Sequence, residues 1–356
     1  MRGVPIYRPT GLAAALAVMA MLAGVARGGH EVPIYPSYYP HEIVIEAVAM
    51  DRAPALLEAG KLHAYLGREA LYSGEPPKAV RAVGSLGDFV IARVAPATAQ
   101  PGADACTAIQ AAVAGLADKG GFAFHPYPVT PFHGDFLYHL DRAEAAKARV
   151  LEHPAPAMPP GWSVAIERVD AAALLAGSAT AVNGWLGPAW VRTGWFQAWR
   201  ILGATLEGGA LGYAAGIEAR LEAGDYRNAV ERLNLERELV GALAGNCHKR
   251  VAGYSVKSQF YSADFNNGVE NIGFDAIAGL NSPIFARTVK LKDFPWNGWL
   301  SLGIDAAPQA AWNPIAGFGD DFGRLLWGAI GDPALLPMPY DTGWTLNRAS
   351  DVQTGP

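Results

Sequence analysis

His125-Pro-Tyr-Pro-Val-Thr-Pro-Phe-His133-Gly-Asp135-Phe-Leu-Tyr-His139 holds three histidines and one aspartate within 15 residues. Imidazole nitrogens and a carboxylate are ligands for zinc, copper or iron. Asp135 and His139 are four apart, so a helix there puts both on one face. His133 then stands at the helix entrance, and the proline-rich run can fold His125 back towards the others. The expected metal site is therefore His125, His133, Asp135 and His139 around one transition-metal ion such as copper or zinc. Affinity should fall below about pH 6, because imidazole must be neutral to donate its lone pair. The spacing matches no named metal motif. The plainer alternative is that these side chains cap, hydrogen-bond or line a wet groove.

The two cysteines, Cys106 and Cys247, are the second chemical feature. In an oxidising compartment an even count suggests a bridge; the alternative is two buried free thiols. A Cys106–Cys247 disulfide would close a loop for which the chain-entropy model gives about 4–5 kcal/mol, less any strain. Ala244-Gly-Asn-Cys247-His248 ends like a haem-attachment motif but lacks its first cysteine. There is no Gly-x-Ser-x-Gly, no His-Glu-x-x-His and no phosphate-binding loop with lysine. That favours a binding or accessory protein over an enzyme, with a metalloprotein or metalloenzyme on the His/Asp cluster as the alternative.

Location is written in the first residues. Arg2 and Arg8 precede the uncharged run Gly11 to Ala26, and small residues end that run before Arg27. This is the layout of a secretory signal peptide over residues 1–26, and the run is short for a retained span. The expected compartment is the periplasm or outside the cell. The formal charge of −5 becomes −7 once Arg2 and Arg8 are removed. That balance argues against nucleic acid and favours a protein partner or a small ligand.

The elements that must position these groups divide by composition. Seven of eight histidines lie at or before His153, and all ten tryptophans lie at or after Trp162. Between them runs the proline-rich stretch 153–161, which reads as an extended linker. The expected class is mixed α+β: an α/β-like lobe over 27–152, then a mainly helical, Trp-rich lobe over 162–356 with an irregular tail. Strands are expected at 42–50, 88–94, 122–125 and 162–169, from β-branched and aromatic runs. Asp104 opens a helix with Ile109, Ala112, Val113 and Leu116 on one face. Residues 135–151 and about 193–244 read as helical.

Within the second helical region, Glu222-Ala-Gly-Asp-Tyr-Arg-Asn-Ala-Val230 resembles the helix–turn–helix join of a tetratricopeptide hairpin. The resemblance implies two antiparallel helices. It departs from the family where a small residue is expected in the second helix, and Glu236 stands there instead. The aromatic run Trp185, Trp190, Trp195, Phe196 and Trp199 is read as core, with peripheral membrane contact through Trp185–Trp199 as the alternative.

The signal-peptide reading is checked by N-terminal sequencing of the exported protein. The mature chain should begin between Arg27 and Gly29, and a chain that retains Met1 would contradict export by cleavage.

Overall fold

The computed structural model describes residues 40, 42–67, 71–96, 104–176, 192–293 and 298–307, and positions 323, 325, 335–337 and 344–346. The signal-like segment 1–26 and the tryptophans Trp185 and Trp190 lie outside the described residues.

The fold is mixed α+β, built on one seven-stranded sheet. Its strands are β1 (Glu42–Ala47), β2 (Ala64–Tyr65), β3 (Val80–Pro96), β4 (Ala123–Phe124), β5 (Trp162–Asp170), β6 (Lys249–Ser262) and β9 (Trp299–Ile304). Two-residue strands β7 (Val269–Glu270) and β8 (Lys290–Leu291) pair outside it, as do β10 (Leu335–Pro337) and β11 (Trp344–Leu346). The order in the large sheet is β1-β9-β2-β6-β3-β5, with β4 beside β6. β9 is parallel to β1 and β2, and the other pairs are antiparallel. Strands from both sides of 153–161 thus share one sheet, because β5 pairs with β3 along its whole length.

Side chains along β3 alternate between two cores, as a pleated strand requires. Phe89 and Ile91 face a core shared with the helices described below. Ala92 and Val94 face the opposite side, where α2 (Asp104–Ala114) packs Ala108, Ile109, Ala112 and Val113 against them. Ile109, Ala112 and Val113 are three of the four residues whose spacing marked this face in the sequence; the fourth, Leu116, lies just past the helix end and is partly buried against the same core. Cys106 on α2 is joined in a disulfide to Cys247 just before β6, with Cα atoms 4.4 Å apart.

β6 differs from expectation. Residues 253–275 read as irregular or short-strand structure, yet Lys249–Ser262 is a 14-residue strand near the middle of the sheet. Gly253, Ser255 and Ser258 dilute its local β propensity, but β3 pairs along one edge and β2 and β4 along the other. Tertiary pairing decides where propensity is weak.

The remaining helices are α1 (Ala53–Glu58), α3 (Leu140–Leu151, preceded by a 3-10 turn Phe136–His139), α4 (Ala171–Ala176), α5 (Gly194–Leu202), α6 (Gly208–Ala223), α7 (Ala229–Ala244) and α8 (Pro283–Thr288). α6 and α7 form the expected hairpin. Gly224 ends α6 at φ +69°, a left-handed position that suits glycine. Asn228 opens α7 by accepting from the Glu231 amide at 3.0 Å. Trp195 and Phe196 are core side chains and Trp199 is half-buried. Among the described residues no helix is long and apolar enough to cross a membrane.

The connector 153–161 is mostly exposed, whereas its flanks are tied by β3–β5 pairing and by the disulfide. Limited proteolysis should therefore nick 153–161 first without separating the pieces. On denaturing gels the nicked protein should run as one band unreduced and two bands after reduction. Two bands without reductant would contradict the pairing of Cys106 with Cys247.

Candidate functional site

Segment 125–139 runs from β4 through the prolines into the 3-10 turn before α3, and lies against α5 and α7. The anchor is Asp135. Its two carboxylate oxygens accept from the Gly194 amide, the first residue of α5, at 2.9 and 3.0 Å. An anionic side chain at the open amide end of a helix is favoured by unpaired N–H groups and by the helix dipole. Gly194 is required for this approach: a Cβ there would lie 2.4 Å from Val129 Cγ1. Just upstream, the buried Arg192 guanidinium pairs with the buried Asp275 carboxylate.

His133 is fully engaged. The Thr130 amide donates to Nδ1 at 2.9 Å, which leaves the ring proton on Nε2. Nε2–H then donates to Gln197 Oε1 on α5, with a separation of 3.0 Å. Both nitrogens are spent: Nδ1 braces the turn within segment 125–139, and Nε2 ties that segment to α5. His125 is also committed, since its Nε2 donates to the Val129 carbonyl at 2.8 Å while the ring packs on Phe136 and Tyr254. Of the four residues expected to share a metal, the fold brings Asp135 and His139 together and gives His125 and His133 other partners.

A residue that the histidine count did not include completes the group. Glu236, on α7, places a carboxylate oxygen in a cluster with Asp135 and His139 in which one ligand atom from each lies within 4.8 Å of the others. All three side chains are buried. His139 is held by Tyr127, whose hydroxyl is 3.0 Å from Nδ1. Its other nitrogen, Nε2, is buried with no hydrogen-bond partner among the described residues, 4.0 Å from Asp135 Oδ2. An orphaned ring nitrogen in a native core is uncommon and costly. The sequence carried one signal for Glu236: an acid where the hairpin pattern wants a small residue.

Burial sets the electrostatics. Desolvation pushes the Glu236 carboxyl up to about 7, with the nearby Asp135 charge adding to it and Arg232 opposing. Arg232 Nε lies 3.5 Å away but is half-exposed, so it offsets little of the burial. Desolvation likewise holds His139 down to about 4, against the pull of Asp135. At neutral pH the cluster thus combines a neutral imidazole with a carboxyl group that gives up its proton readily. Comparison with protein-family models, with curated proteins and with solved structures finds no match.

The raised Glu236 value has a consequence for stability. Between pH 4.5 and about 7 the folded protein holds a proton there that the unfolded chain releases. Stability from this group is therefore full below pH 4.5 and is lost as pH rises through 7. His139 acts with the opposite sign: its contribution is present above pH 6.5 and is lost as pH falls through about 4. In chelator-treated protein, Glu236→Gln should stabilise the fold by up to about 3 kcal/mol at pH 8, and by less than about 1 kcal/mol at pH 5. Chemical denaturation at the two pH values measures this. A difference that does not change with pH would show that Glu236 is not destabilised by its surroundings.

Proposed function

We propose that the protein is an exported, non-catalytic binding protein whose buried centre, Asp135, His139 and Glu236, holds one divalent transition-metal ion of the zinc class. The observation that carries this reading is the unpartnered His139 Nε2 facing two buried carboxyl groups. One imidazole and two carboxylates form a familiar donor set for zinc, iron or manganese. A divalent cation would displace the Glu236 proton and offset the carboxylate charge that burial otherwise disfavours. Tyr127 on Nδ1 and the Gly194 amide on Asp135 supply the outer hydrogen bonds that orient metal ligands. Bonds of roughly 2.0–2.2 Å would need the three ligand atoms to close in by about an ångström. Export is supported by the signal-like N-terminus and by the disulfide, which belongs to an oxidising compartment.

The test is zinc binding by calorimetry on chelator-treated protein. His139→Ala and Glu236→Gln should each weaken binding at least tenfold, whereas His125→Ala should leave it within about twofold. The pH dependence follows from the site and departs from the value expected of ordinary imidazole. His139 stays neutral down to about pH 4, so Glu236 is the ligand for which metal and proton compete. Affinity should therefore decline by up to about tenfold per unit below pH 7. No zinc uptake, with Glu236 titrating normally in the free protein, would leave the cluster a hydrogen-bonded core network.

A further inference from the structure

On the other side of Tyr127 lies a cavity of about 400 Å³, bounded by α2, α3, the end of α7, the start of β6 and the connector at 153–156. Its size falls within the range of small-molecule sites. Three arginines line it, Arg142 and Arg149 from α3 and Arg250 from β6, and among the described residues no aspartate or glutamate does. Among the described residues, none of the three pairs with a carboxylate. Arg250 Nε donates to the Asn246 carbonyl at 2.7 Å, and Arg142 donates to the Arg237 carbonyl. Arg149 has no hydrogen-bond or ion-pair partner among the described residues, and it is close enough to Arg250 to repel it. Arg142 and Arg250 are partly buried and Arg149 stands exposed at the mouth, so a bound counter-charge would relieve the repulsion that water only screens. The remaining wall is apolar, including Val113, Ala146, Val150 and Val251.

We infer that this cavity binds a small organic oxyanion, with its carboxylate or phosphate held by Arg142, Arg149 and Arg250 and a compact apolar body against Val113, Val150 and Val251. Guanidinium groups match either headgroup through paired N–H donors. The apolar wall explains why a bare inorganic ion is the poorer fit. The rim is preorganised, since the Cys106–Cys247 disulfide fastens α2 to the chain just before β6. Gly241 leaves room for the Arg142 head: a Cβ there would lie 3.0 Å from its Nη1. The site is separate from the metal centre and shares only Tyr127 with it.

Phenylacetate and phenyl phosphate are titrated into the full mature protein by calorimetry, beside inorganic phosphate and neutral 2-phenylethanol. At least one organic anion should bind saturably, more tightly than both controls, and the tighter of the two identifies the headgroup. Binding should weaken as salt rises. Arg149→Gln should lower affinity about tenfold, whereas Arg168→Gln, on β5 and away from the cavity, should not change it. Arg250→Gln should act in the same direction; because Arg250 also holds the Asn246 turn, Arg149→Gln decides the matter if that variant does not fold. Chelator treatment should leave anion binding intact. Equal binding of 2-phenylethanol, no saturable binding of either organic anion, or an unchanged Arg149→Gln variant would overturn the inference. So would binding that vanishes with the metal, since the anion would then sit on the metal ion.

Discussion

The Asp135 carboxylate at the amide end of α5 is the contact that sets the geometry of the site. It fastens a proline-rich segment, with little regular hydrogen bonding of its own, to a helix whose first amide needs an acceptor. The contact works because residue 194 has no side chain to push Val129 away. His133 adds a second tie three residues along the same helix, through Gln197. The 3-10 turn Phe136–His139 follows directly from these two ties. His139 then points its free nitrogen towards α7, where Glu236 stands. A histidine that looks like a ligand in the sequence, His133, is thus the strut that positions another.

The sheet enforces the same arrangement from below. Phe89 and Ile91 of β3 and Val251 of β6 floor the core that carries α5, α6 and α7. The ring of His133 stacks over Phe89 with centroids 6.1 Å apart. The polar cluster therefore sits between an apolar floor and a helical layer, away from water. That placement raises Glu236 and lowers His139. Burial makes the ionised forms of these side chains costly.

Much of this was legible before any coordinates. The amphipathic spacing of α2, the Glu222–Val230 join of the α6–α7 hairpin and the β-branched runs of β1 and β5 are local patterns, and each formed where local physics placed it. Asp135 and His139 share a face because four residues separate them. Other features depended on partners distant in sequence. β6 owes its length to strands on both edges, which its glycines and serines do not announce. His125 and His133 were spent on Val129 and Gln197, acceptors that no spacing rule could identify. Glu236 lies 97 positions beyond His139, and only its misfit to the hairpin pattern hinted at a role. The arginine-lined cavity was equally hidden, because Arg142 and Arg250 meet only once α3 and β6 pack side by side.

The central claim is that Asp135, His139 and Glu236 form one ion-binding centre. Anomalous diffraction at the zinc edge, from crystals of the mature protein grown with zinc, tests it most directly. The account predicts one dominant peak, about 2.0–2.2 Å from His139 Nε2 and from an oxygen of each carboxylate. A zinc peak on His125 or at the surface, with His139 Nε2 still unpartnered or hydrogen-bonded to a protonated Glu236, would contradict it.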